Sequence, residues 1–252
     1  MTTLVYDGSF KGWLTAVFEV YEYKLSEAGI QPAHSYQDEL MHIRRDVVTD
    51  ESKSARVWKT LSDKMSRQSL KRIYHTFLSE EAQIENIMLE FVRYALRTRV
   101  SIENDFSNAA VLKLQQMARK VHREKHRMEA FVRFQLTSDN LYYAIVQPDF
   151  NVLPLIQTHF KDRYADQRWL IYDAHRKYGI YYDLENVTEV KIDFSEDAGA
   201  KSDAVYDENE TMYQQLWQQY FSSVNIKARK NMRLHIQHMP KRYWRYLTEK
   251  KI

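Results

Sequence analysis

The chain has no cysteine, only five glycines and four prolines, and no long apolar run. Lacking cysteine, it has no disulfide framework, no thiol nucleophile and no cysteine-held zinc or iron–sulfur centre. So little glycine and proline speaks against sandwiches, propellers and glycine-cradled phosphate sites, and in favour of helices. No stretch approaches the roughly 18 apolar residues that read as a membrane span. The opening MTTLVYDGSFKGWL carries neither the basic nor the apolar region of a signal peptide. The expectation is a cytoplasmic protein that does not engage a membrane.

What is present is the material of a folded core: 252 residues, 44% hydrophobic and 28% charged. The net charge of +3 is unevenly placed. Between Asp183 and Glu210 ten acids face two lysines, a net of −8, and from Lys227 to Ile252 nine bases face one acid, a net of +8. A basic end of this kind attracts polyanions, and an acidic stretch can mask it or meet a basic partner. Both runs also read as ordinary solvated faces.

Along the chain, TLVYDGSF reads as a strand ending in an Asp-Gly turn, and Leu14, Phe18, Tyr21 and Leu25 then repeat at helical steps. A second strand fits LMHIRRDVV. Thr49 or Asp50 caps a helix through ESKSARVWKTLSDKM. Helices follow over RQSLKRIYHTFLS and EEAQIENIMLEFVRYALR, the latter with Ser79 as its expected N-cap. A long helix from Ser107 to Met128 carries its apolar stripe on Leu114, Met117, Ala118, Val121 and Met128. FVRFQLTSDNLYYAIVQP suggests a hairpin, NVLPLIQTHFKDRY a short helix, and RWLIYDAHRKYGIYYDLENVTEVKIDF two or three strands. Residues 195–210 read as a loop, Tyr213 to Val224 as a clean amphipathic helix, and Pro240 as the start of a terminal one. The expected fold is α+β and helix-rich, with a small antiparallel sheet (about residues 131–192) packed between N-terminal and C-terminal helices. It is one domain over 1–252, divisible into a helical half, 1–130, and an α+β half, 131–252.

Three constellations bear on chemistry. His122 and His126 lie four apart on one helix face, a spacing that can share a metal, but zinc needs further ligands, and Glu124 lies off the shared face. The expectation is therefore no metal site and no cofactor. The second is HFKDRY with RWLIYDAHRKYG, which gathers His159, Arg163, Arg168, Asp173 and Arg176. A histidine near a carboxylate and arginines suits phosphate binding or general-base work, with His159 and Asp173 as the candidate catalytic pair. Arg–Asp pairs lacing a sheet edge are the plainer reading. The third is the basic end, HMPKRYWRYL, where Tyr243, Trp244 and Leu247 share a core stripe on a helix while Lys241, Arg242 and Arg245 point elsewhere. Arg229, Lys230 and Arg233 stand just upstream. Together these bases can follow a phosphate backbone.

LVYDGSFKGWLTAVFEVYE, VHREKHRMEAFVRF, LPLIQTHFKDRYADQRWLIYDAHR and MPKRYWRYLTEK, in order from about residue 3 to 250, resemble the bacterial "probable DNA metabolism protein" family, a DNA-repair-associated domain. Many members read IFNPAR where this chain has VNIKAR at 224–229, without the Asn-Pro turn. In that family the domain stands alone, encoded beside a radical-SAM DNA modification or repair protein, or is fused to a uracil-DNA-glycosylase-like domain. The resemblance implies a DNA-related role with such a partner. Radical-SAM chemistry needs a cysteine-held cluster, so it would belong to the partner.

The leading expectation is thus an accessory module that binds DNA through Arg163, Arg168, Arg176, Arg229, Lys230, Arg233, Lys241, Arg242 and Arg245. Two others stand beside it: a DNA-acting hydrolase using the His159 cluster, and a protein–protein adaptor docking through its acidic stretch.

Overall fold

The computed structural model describes residues 1–37, 42–98, 101–138, 140–191, 236, 238–247 and 250. The fold is α+β, and the chain divides into two compact units, Met1–His122 and Arg123–Ile252. The expected loop at 195–210, the helix from Tyr213 to Val224, and Arg229, Lys230 and Arg233 lie outside the described residues.

The first unit is built on a three-stranded sheet in which β1 (Thr2–Tyr6) lies between β2 (Ala28–Pro32) and β3 (Ile43–Asp46), parallel to both. A parallel neighbour requires a crossover, supplied between β1 and β2 by α1 (Phe10–Glu22). Asp7 and Ser9 start that helix. The Asp7 carboxylate accepts from Ser9 N, and the Ser9 hydroxyl accepts from Gly12 N. Gly8 turns the chain at φ 84°, a left-handed conformation that glycine adopts without penalty. Leu4, Ile30, Trp13 and Val17 fill the core between sheet and helix. The β2 strand escaped the sequence reading because AGIQP shows no alternation. Its edge is held from outside by Asn86, whose Oδ1 accepts from Ile30 N at 2.8 Å. The other edge, β3, is exposed and charged, and Arg45 reaches the mostly buried Glu19 at 3.1 Å.

Asp50 caps α2 (Glu51–Lys64) by accepting from Ser52 N and Lys53 N, as anticipated. Ser66 caps α3 (Arg67–Phe77). The expected Ser79 cap is not formed: α4 (Ile84–Arg97) begins later, after Gln83. Glu80 and Gln83 both adopt positive φ, which inserts a turn before the helix, and the Ser79 hydroxyl instead donates to Thr76 O at the end of α3. The helix α5 (Ala109–Phe131) carries the boundary between the units and is capped by Asn108.

The second unit holds a five-stranded sheet in the order β4 (Gln135–Leu136), β5 (Tyr142–Val146), β6 (Trp169–Asp173), β7 (Tyr178–Tyr182) and β8 (Val187–Val190). Three pairings are antiparallel, including the β4–β5 hairpin read from the sequence. The fourth differs from the expected all-antiparallel sheet: β5 and β6 run parallel, because α6 (Leu153–Arg163) carries the chain back between them. The central strand β6 is buried at all five positions, so both of its faces are covered. Phe134, Phe160 and Tyr182 pack around the buried Trp169, and Tyr164 packs on Phe134 and Phe160. No described helix is long and apolar enough to cross a membrane.

Candidate anion-binding site

The parallel pair β5–β6 creates a defined edge. In open α/β arrangements ligands favour the crevice beyond the carboxyl ends of parallel strands. Here the loop after β5 brings Gln147, Pro148 and Asp149 to that edge, and the turn after β6 brings His175. A 3₁₀ segment, Lys241–Tyr246, completes a concave site of about 600 Å³ with Lys241, Arg242 and Arg245. The segment begins after Pro240, as the sequence predicts, but winds more tightly than an α-helix. Tyr243 and Leu247 are accordingly buried, and Trp244 is only half-buried. Its indole N–H donates to Met239 O at 3.0 Å.

Glu124 ties the segment down. Its carboxylate is 1% exposed and accepts from Tyr243 OH, from Asp149 N at 2.9 Å, from Arg242 at 3.3 Å and from Arg127 at 3.5 Å. Arg242 also meets the Asp149 carboxylate at 2.6 Å. Burial raises the Tyr243 hydroxyl well above its usual pKa, and the bond to Glu124 adds to this. Burial acts against the Arg242 guanidinium, but Tyr243, Glu124 and Asp149 outweigh it and strengthen its hold on the proton. Asp149 is raised, first by burial and then by the Glu124 charge, against the pull of Arg242, Arg127 and Arg176. Arg242 therefore spends its charge inside the site. Lys241 and Arg245 are exposed and have no acidic partner among the described residues. Arg245 lies over the Tyr246 ring at 4.6 Å, and Tyr246 OH donates to Gln147 Oε1 at 2.9 Å.

The other sequence candidates are placed differently. Asp173 is fully buried and closes the β6–β7 turn, accepting from His175 N, Arg176 N and the Arg176 guanidinium. Arg176, with its side chain 10% exposed, also donates to Pro148 O and Asp149 O, so it shapes the loop that lines the site. His159 lies on α6 with its Nδ1 3.9 Å from Glu129 and its ring edge-on to Phe160. No hydrogen bond or ion pair joins His159 to Asp173. Arg163 is exposed beside Tyr164, and Arg168 is exposed ahead of β6. His122 and His126 are both exposed, and His122 stacks on His75. Among the described residues no group of three acids or histidines is placed to hold a metal.

Glu124 was the residue that sequence reasoning set aside. A signal was available, since it follows Val121 by three and precedes Met128 by four, on the apolar stripe itself. An acid in that position is buried unless the helix turns, and a buried carboxylate needs partners.

A family described as a domain of unknown function, DUF4130, has a model that matches residues 82–249, more than half of the chain. No curated protein and no solved structure matches it.

Proposed function

The chain belongs to the DUF4130 family, a domain of unknown function, and we propose that it is a nucleic-acid-binding accessory module that holds the phosphate backbone of DNA at the edge of its second sheet. The observation that carries this reading is the gathering of Lys241 and Arg245, both without acidic partners among the described residues, with His175 at the carboxyl ends of β5 and β6. Arg242 is held by Glu124 and Asp149 and so fixes the segment from which its two neighbours project. An anion entering the site meets positive charge on an ordered scaffold, which limits the ordering cost of binding.

The absence of cysteine and the resemblance of the sequence to proteins encoded beside a radical-SAM enzyme, or fused to a glycosylase-type domain, support a role in presenting DNA to such a partner. Co-purification with that neighbour tests the partnership. DNA binding is tested by the salt dependence of affinity for a labelled oligonucleotide. Each phosphate neutralised contributes about 0.7 to the slope of log affinity against log salt on single strands and about 0.9 on duplex. Lys241→Gln with Arg245→Gln should therefore flatten the slope by about 1.4 to 1.8 units. An unchanged slope in a folded double variant would refute the reading.

A further inference from the structure

The first unit carries a second cavity, which lies outside the stretch matched by the family model. At about 540 Å³ it has the volume of a small-ligand site rather than of a packing defect. Phe10, in the first turn of α1, lines it. The rings of Trp58 on α2 and Tyr74 on α3 are steeply inclined to that of Phe10, at interplanar angles of 82° and 66° and centroid distances of 5.5 and 5.1 Å. All three rings are half-buried and line the cavity. Leu14, Ala55 and Leu70 close the sides.

The rim is asymmetric. Lys11 is paired with Glu51 and so is neutralised. Lys71 is exposed, lines the same cavity and has no acidic partner among the described residues. A cavity lined by three aromatic rings accepts a flat ring better than a branched side chain, because the π-faces favour stacked and edge-on contacts. The unspent ammonium at the mouth complements an anion attached to that ring.

We propose that this cavity binds a nucleotide, with its base against the rings of Phe10, Trp58 and Tyr74 and its phosphate at Lys71. The same chemistry is offered by a free nucleotide and by one unstacked nucleotide of a single strand.

The test titrates the full chain with adenosine 5′-monophosphate, adenosine and ribose 5-phosphate, by calorimetry and tryptophan fluorescence. Lys241→Gln with Arg245→Gln serves as the background, which silences the phosphate site of the second unit. The nucleotide should bind saturably, adenosine more weakly, and ribose 5-phosphate not at all. Lys71→Gln should reduce the nucleotide to the affinity of adenosine. Trp58→Leu should weaken both by about fivefold or more, the loss expected from removing one stacking partner. Since Trp58→Leu also removes packing, Ala55→Phe provides the second variant. It fills the cavity from an exposed position and should abolish binding while the melting temperature holds. A short oligoadenylate that outcompetes the mononucleotide assigns the site to strands, and the reverse order assigns it to free nucleotides. The proposal is overturned if no nucleotide saturates the protein at millimolar concentration. It is equally overturned if binding survives Ala55→Phe, or if dodecanoate binds in the cavity while nucleotides do not.

Discussion

Replacing Glu124 by alanine tests the tie on which the proposed anion site depends. The substitution removes the acceptor for Tyr243 OH, Asp149 N, Arg242 and Arg127 in one step, and it does so at a position 1% exposed. Removing one member of a buried, charge-paired group costs about 3–5 kcal/mol, and here the buried Tyr243 hydroxyl and the Asp149 N–H are left without their acceptor. The Arg242–Asp149 pair survives, but both side chains are more than a third exposed and contribute only about 0–1 kcal/mol. For a chain of this size 1 kcal/mol shifts the melting temperature by about 2–4 °C, so Glu124→Ala should melt about 6–20 °C lower. Glu124→Gln keeps the shape and one acceptor oxygen and should cost less, about 1.5–3 kcal/mol, the usual contribution of hydrogen bonds to a charged group. Polyanion affinity should fall with Glu124→Ala even where the protein is still folded, since Lys241 and Arg245 lose the anchored segment that positions them. Melting followed by circular dichroism, with oligonucleotide anisotropy at a temperature well below the transition, reads both effects. A Glu124→Ala protein that melts within about 1 °C of the parent and binds as tightly would refute the reasoning, since so small a shift is below 1 kcal/mol.

The raised Asp149 carboxyl should make the proposed anion site sensitive to acid: protonation removes a negative charge from the site and leaves Arg242 with Glu124 as its one carboxylate there, so polyanion affinity should increase as pH falls through the raised Asp149 pKa. In a His175→Gln background, which takes the imidazole out of the comparison, Asp149→Asn should flatten that rise, and an identical pH profile in both proteins would count against it. In the first unit burial raises Glu85, which accepts from Tyr6 OH at 3.2 Å. A carboxyl raised on folding contributes stability that is complete below its unfolded value of about 4.3 and is lost as pH rises through the folded one. Glu85→Gln should therefore lessen the decline in melting temperature on going from about pH 4 to 7, and an unchanged decline would assign it to other groups. Asn86→Ala should cost about 1–3 kcal/mol by leaving Ile30 N–H without its acceptor. Hydrogen exchange at Ile30 faster than at its β1 partner Leu4 would localise the loss.

Local features are legible in the order of residues alone. Helical spacing and caps identified α2, α5 and α6, with Asp50 in its place, because a helix is written in residues three and four apart. Alternation and turn residues identified β1, β6 and β7 and the hairpin into β5, and with them the α+β class. Missing cysteine excluded whole classes of site without any structure. Tertiary structure decided what depends on distant partners. The β2 strand exists because β1 and Asn86 satisfy its backbone, not because AGIQP favours a strand. The direction of β5 against β6 follows from how the chain returns through α6, which no period in either strand encodes. The sorting of the basic residues is also long-range. Arg176 and Arg242 are consumed by carboxylates and carbonyls, and Lys241 and Arg245 are left exposed with no acidic partner among the described residues. That division rests on Glu124 meeting Tyr243 across 119 residues. Composition shows only that the C-terminal stretch is basic. Burial decides which of its charges are neutralised, because a charge taken out of water must find its counterpart within the fold.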